Sequence, residues 1–242
     1  MDILTLLEER TPSKGLAISV VILGVLSTLF SISASLSLRY AIMHFPHVMS
    51  FYTPFGLIGI SIILSLIAGL LQLLLLFSWN RAIKNNIENT KLLFQFIQGK
   101  ISESKRESII LFLHKISQLE IATWAFWIYA LFYTVALISG IGLKVLLNIL
   151  AFIFLAIYLQ SLFSVSFELS RLKSTAYSYF LGKPALITEI KGRNVIIVAI
   201  LSIITFTIYW LYLLIKITYE ISSFIEEDQR VRQGVLEAIK GP

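Results

Sequence analysis

Five stretches of this chain, residues 17–38, 56–79, 121–143, 145–167 and 195–215, contain no Asp, Glu, Lys, Arg or His. Each supplies about the 20 apolar residues that an α-helix needs to cross ~30 Å of hydrocarbon. The pattern predicts an all-α, polytopic helical membrane protein with five transmembrane helices. Between the second and third runs, residues 80–120 change character. Ile83, Ile87, Phe94 and Ile97 fall on one helical face that ends at Gly99. A second helix is expected from Ser104, which caps free backbone N–H groups while Glu107 reaches back, with Ile109, Phe112, Leu113 and Ile116 as its apolar face. The two read as a helical cytoplasmic hairpin, extensions of the second and third spans packed on each other; a partner-docking or membrane-surface role is the alternative. "SGIGLK" between the third and fourth runs, with Gly140 and Gly142, predicts a tight antiparallel turn. "MHFPHVMSFYTP" breaks the chain between the first two runs at Pro46 and Pro54. Residues 216–242 read as a charged tail.

Composition agrees with that reading. Of 242 residues, 57% are hydrophobic and only 14% charged, against about 25% charged in soluble domains. Asp2, Glu8 and Glu9 precede the first run where a signal peptide would be basic. The net charge of +6 is read as loop charge facing anionic headgroups, and no nucleic-acid recognition module is visible. With no cysteine, disulfides, thiolate metal sites and Cys nucleophiles are excluded. The same absence, beside many Ile and Lys residues, leans toward a thermophile. Lys and Arg number two, one, seven, one, five and four in successive segments outside the five runs. Five straight crossings divide them 14 to 6, which puts the N-terminus and both long loops in the cytoplasm. A re-entrant last segment divides them 18 to 2. Charge favours the second topology, and the straight apolar run favours the first.

The candidate chemistry is sparse. Ion coupling and proton relays need titratable groups inside the bilayer, and no HExxH, paired-carboxylate or Ser-with-His arrangement is present. No enzyme activity and no cofactor are expected. Gly24, Ser27, Ser31 and Ser35 share one face of the first span, and Ser61, Ser65, Gly69 and Gln72 one face of the second. Such residues let helices approach closely; Asn148 and Gln160 on the fourth span are read as polar glue of the same kind. His44 and His47, between Met43 and Met49, offer imidazole and thioether of the kind that binds copper, though two histidines are not a full ligand set. In the last run Ser202, Thr205, Tyr209, Tyr212 and Lys216 recur at intervals of three and four. This stripe is expected to face other helices, its hydroxyls bonded across them and Lys216 reaching the headgroups; a contact for lipid or a partner helix is the sharper reading.

The stretch "RNVIIVAILSIITFTIYWLYLLIKITYEI" resembles the signature of a prokaryotic integral-membrane family known only as a domain of unknown function. That signature runs Arg, an apolar stretch, S-I-I-T-x-G-I-Y-x-x-Y, then a basic residue and Glu. Arg193, Ser202, Ile203, Ile204, Thr205, Ile208, Tyr209, Tyr212, Lys216 and Glu220 carry it here. The resemblance covers about 30 of 242 residues and implies a small multi-span membrane protein with no assigned activity. Where the signature has glycine this chain has Thr207, which argues for one continuous last helix. "FLAIYLQSLFSVSFEL" echoes the last span, with Tyr158 opposite Tyr209 and Glu168 near Glu220, as a faint internal duplication would. The expected role is a non-enzymatic structural or interaction component in the lipid bilayer, contacting a membrane-protein partner or a second copy. The alternative is a transporter or channel for a small or lipid-like solute.

Overall fold

The computed structural model describes residues 9–44, 52–100 and 103–240. Among the described residues the regular elements are seven helices: α1 (Lys14–His44), α2 (Tyr52–Gln98), α3 (Glu103–Ser117), α4 (Thr123–Ile138), α5 (Ile141–Leu181), α6 (Val195–Ile204) and α7 (Ile208–Lys240). Four of them, α1, α2, α5 and α7, carry stretches long and apolar enough to cross a bilayer, and α4 and α6 are shorter apolar helices. The chain is an all-α polytopic helical protein of the membrane-spanning class.

It divides into two units. Residues 13–76 form one, made of α1 and the apolar first half of α2. Ser27 Oγ donates to the Ser61 carbonyl at 3.0 Å, and Ser61 Oγ donates to the Ser27 carbonyl at 3.0 Å. A reciprocal pair of this kind draws two helix backbones together, which is the work expected of a small-residue face. Ser31 and Ser65 flank that contact along a shallow groove. Outward residues such as Leu29, Ile32, Leu36, Ile62 and Ile63 are bare, as a lipid-facing surface requires.

Residues 1–12 and 77–242 form the other unit. Within it α4 and α5 make the expected antiparallel hairpin around the turn at Ser139–Gly140. Ala122 N–H donates to Ser161 Oγ at 2.8 Å, Phe126 meets Tyr158 at 5.4 Å, and Phe132 meets Phe154 at 5.7 Å. These pairs lie at successive levels of the two antiparallel helices, nearing the turn in that order.

Helices α2 and α5, with 47 and 41 residues, are about 70 and 60 Å long at 1.5 Å per residue. That is twice the ~30 Å of hydrocarbon, so their charged second halves stand clear of the apolar region. There they run parallel to α7: Trp79 Nε1 donates to Thr218 Oγ1 at 2.9 Å, and Asn86 Nδ2 donates to Asp228 at 3.0 Å. Helix α3 folds back onto this trio, with Phe112 and Phe180 both against Phe94 at 6.4 and 6.0 Å. Ile83, Ile87, Phe94, Ile97, Ile109 and Ile116 are buried, as their spacing predicts. Helix α3 begins at Glu103, so Ser104 lies inside its first turn and not ahead of it.

Two expectations are corrected. Residues 216–242 are no tail: as far as Lys240 they continue α7, which starts at Ile208, and bury Ile217, Ile221, Phe224, Ile225, Val235 and Leu236 along one face. Nor is the fifth apolar run a continuous helix. It stops at Ile204 and restarts at Ile208, with Phe206 and Thr207 at φ 49° and 75°. The Thr207 N–H donates to the Ser202 carbonyl at 2.7 Å and the Phe206 N–H to the Ile203 carbonyl at 3.1 Å. This is the Schellman pattern, in which a left-handed residue just past the helix satisfies its last carbonyls. Phe206 holds the position that glycine usually takes. Thr207 was expected to keep the helix continuous and instead sits in the break.

Candidate functional site

The second halves of α2, α5 and α7 and the segment ahead of α1 surround a cluster of buried charge. Lys173 Nζ on α5 lies 2.7 Å from Asp228 on α7 and donates to Asn86 Oδ1 on α2 at 2.7 Å. Tyr177, one helical turn beyond Lys173, donates to the other Asp228 oxygen at 3.1 Å. Arg232, one turn beyond Asp228, pairs with it and also with Glu9 at 2.5 Å. Asn86 and Asn89 amides close the ring on Glu9 at 2.7 and 3.0 Å. All four charged side chains are withdrawn from solvent, and two cations face two carboxylates.

Burial fixes the electrostatics. It pushes the Lys173 ammonium down, Arg232 adds to that, and Asp228 and Glu9 act upward, leaving its pKa lowered to about 7. Burial alone would raise the Asp228 carboxyl, but Lys173 and Arg232 together hold it below its ordinary value. Isolated charges would be expelled from such a place; mutual pairing and added hydrogen bonds keep them there.

A second arrangement lies at the α6–α7 break. The connection 182–194 returns alongside α7: Thr188 N–H donates to Glu227, and Arg193 clasps both Glu220 oxygens at 2.7 and 2.8 Å. The Arg193 guanidinium also lies over the Phe163 ring, 5.8 Å from its centroid. The first α6 residue, Val195, donates its N–H to Gln160 Oε1 on α5 at 3.0 Å, the glue role expected of that residue. Beneath these polar ties α5, α6 and the break enclose an apolar groove of about 440 Å³ that includes Phe152, Leu159, Val198, Phe206 and Trp210. A third feature is a mixed-charge cleft of about 430 Å³ between α2 and the α3–α4 turn, with Lys84, Glu88, Lys91, Glu120 and Trp124 on its walls.

The sequence-derived stripe is divided between two helices. Ser202 belongs to α6 and donates to its own helix at the Val198 carbonyl, 2.7 Å. Thr205 caps α6, donating to the Leu201 carbonyl at 2.7 Å and accepting from the Tyr209 N–H at 3.0 Å. Tyr209 and Tyr212 follow on α7 with ring centroids 6.2 Å apart. Tyr212 is exposed, and Lys216 reaches Glu220 at 3.9 Å. Of the weak metal candidates, His44 ends α1 and His47 lies outside the described residues. Among the described residues no group of three metal-ligating side chains is present. Asn148 is exposed on α5.

The charge cluster was missed from the sequence. A signal was present: Ile217, Ile221, Phe224, Asp228, Arg232 and Val235 follow one another at intervals of three and four, which places the two charges in a core stripe. The arrangement defines a class, a helical membrane protein with a charge-locked head. Compared with known proteins, the chain matches no family model, no curated protein and no solved structure.

Proposed function

We propose that this chain is a multi-pass cell-membrane protein with a cytoplasmic N-terminus, acting as a non-enzymatic structural or interaction component of a membrane complex. The observation that carries the reading is the head built from α2, α3, α5 and α7. Its interior is locked by Glu9, Lys173, Asp228 and Arg232 in mutual pairs, which suits a rigid platform more than a site with a free acid, base or nucleophile. Its outside bears Leu92, Ile110 and Leu111, each about half exposed although beyond the apolar runs. Ile110 and Leu111 are neighbours on α3, and side chains of this size left bare beyond the apolar runs are what a protein contact would cover. The orientation rests on basic residues: Glu9 touches Arg232, so N-terminus and α7 share one side, and the division of Lys and Arg becomes 18 to 2.

Extraction in mild detergent, followed by native mass measurement, tests this reading. A stoichiometric complex, a second copy or another chain, should be recovered and should dissociate in Leu111→Glu. A lone monomer in both forms would remove the reading. The apolar groove between α5 and α6 favours a second one, passage or binding of a lipid-like solute. Its test is accelerated exchange of a fluorescent lipid between leaflets of proteoliposomes.

A further inference from the structure

We infer that α6 and the first half of α7 form a re-entrant hairpin, an interaction surface whose partner is the hydrocarbon of one leaflet, entered from the side that carries the head. This rests on the membrane reading above and adds where the fifth apolar run goes.

Three observations carry it. The first is registry. Arg193 and Glu220 are bonded side by side, Thr188 is bonded to Glu227, and the break at 205–207 lies midway between the members of each pair. The chain therefore descends and returns along itself. Its depth from the Arg193–Glu220 level is about 18 Å, twelve residues at 1.5 Å each, a little over half of the ~30 Å hydrocarbon layer.

The second is the surface of the tip. Ile203, Ile204, Phe206 and Ile208 are 74%, 66%, 90% and 68% exposed. Four large apolar side chains left this bare within six residues suit an apolar solvent. The charged groups of this segment, Lys191, Arg193, Lys216 and Glu220, all stand at the opposite, open end of the hairpin.

The third is the backbone of the turn. Irregular backbone inside a bilayer is costly because unpaired N–H groups find no water. Here five consecutive N–H groups donate locally: Thr205 to Leu201, Phe206 to Ile203, Thr207 to Ser202, Ile208 to Thr205, and Tyr209 to the Thr205 hydroxyl. The turn enters lipid with its donors satisfied. The head-side location follows from α7 itself, which continues unbroken from this hairpin to Asp228 and Arg232.

The absence of native cysteine permits a direct test on the full chain in liposomes. Spin labels are placed singly at Phe206→Cys, at Ile203→Cys as a second tip site, at Leu29→Cys in α1, and at Lys216→Cys. Collisions with oxygen and with a water-soluble nickel chelate give depth. Both tip labels are expected near the bilayer centre, oxygen-accessible and shielded from the chelate, with the residue-216 label at the interface. Chelate access at both tip sites while residue 29 stays in lipid overturns the hairpin and leaves the membrane reading intact. Chelate access at residue 29 as well overturns both. Tip labels in lipid with residue 216 reached by chelate confined to the face opposite the head would mean a full crossing, and would also overturn it.

Discussion

Lys173 and Asp228 carry the clearest consequences for single side chains. Removing one partner of a buried pair strands the other, at a typical cost of about 3–5 kcal/mol. Asp228→Asn should therefore lower the melting temperature sharply, and adding Lys173→Met to it should cost less than the two separate changes summed. Additive losses would show that the pair is not coupled. Both groups also shed protons more readily in the folded chain than in the unfolded one, so each adds stability as pH rises. For Asp228 the gain is complete above its ordinary 3.8 and is lost on acidification through the lower folded value. For Lys173 it accrues between about 7 and its ordinary 10.5. Melting in detergent should rise from pH 7 toward 10, and Lys173→Met should flatten that rise; an equal rise in the variant refutes the assignment. At Thr207, held at φ 75°, a non-glycine residue carries ~1–2 kcal/mol of left-handed strain. Thr207→Gly should recover about 0.5–1 kcal/mol after its own entropy loss, whereas Thr207→Ala should recover nothing.

At the scale of elements, the α6–α7 hairpin is closed by Arg193 and Glu220, which are mostly buried. Hydrogen bonds to charged groups contribute about 1.5–3 kcal/mol, so Glu220→Gln should lower the melting temperature measurably. The exchange Arg193→Glu with Glu220→Arg should restore part of it; failure to do so would mean the pair is not what closes the hairpin. This element also shows why the sequence was legible in some places and not others. The apolar faces of α2 and α3 were readable because burial selects hydrophobic residues at helical spacing, and Ile83, Phe94 and Ile109 obey that rule. The break was not readable, because the residues that make it are Phe206 and Thr207 where glycine is the usual sign. The distant pairing of Arg193 with Glu220, which stabilises the returned chain, leaves no local mark. The charge cluster was hidden for a related reason: Lys173, Asp228 and Arg232 look like solvated loop residues until three helices are seen to continue past their apolar runs.

For the molecule as a whole, the segment ahead of α1 is a structural component. Glu9 accepts from Asn86, Asn89 and Arg232, Gln229 donates to the Glu9 carbonyl at 3.1 Å, and Ser222 donates to the Pro12 carbonyl at 3.2 Å. Glu9→Ala should loosen the head as a unit, with faster amide exchange in α2, α5 and α7 beyond Trp79, Phe167 and Thr218. Protection unchanged in α5 would show that the segment only decorates a head already stable without it.

That clasp bears on how the chain is made. Glu9 leaves the ribosome first and meets a partner 223 residues later. During synthesis Asn86 and then Lys173 emerge with their places beside α7 still vacant, and Asp228 and Arg232 follow only after both. A polypeptide stopped short of residue 228 would hold Glu9 without Arg232 and Lys173 without Asp228 in a half-formed interior. A chain cut before residue 228 would thus present polar helices that lack their ion-pair partners, and a membrane-bound protease that recognises loosened polar helices would have a means of telling it from a chain that carries Asp228 and Arg232.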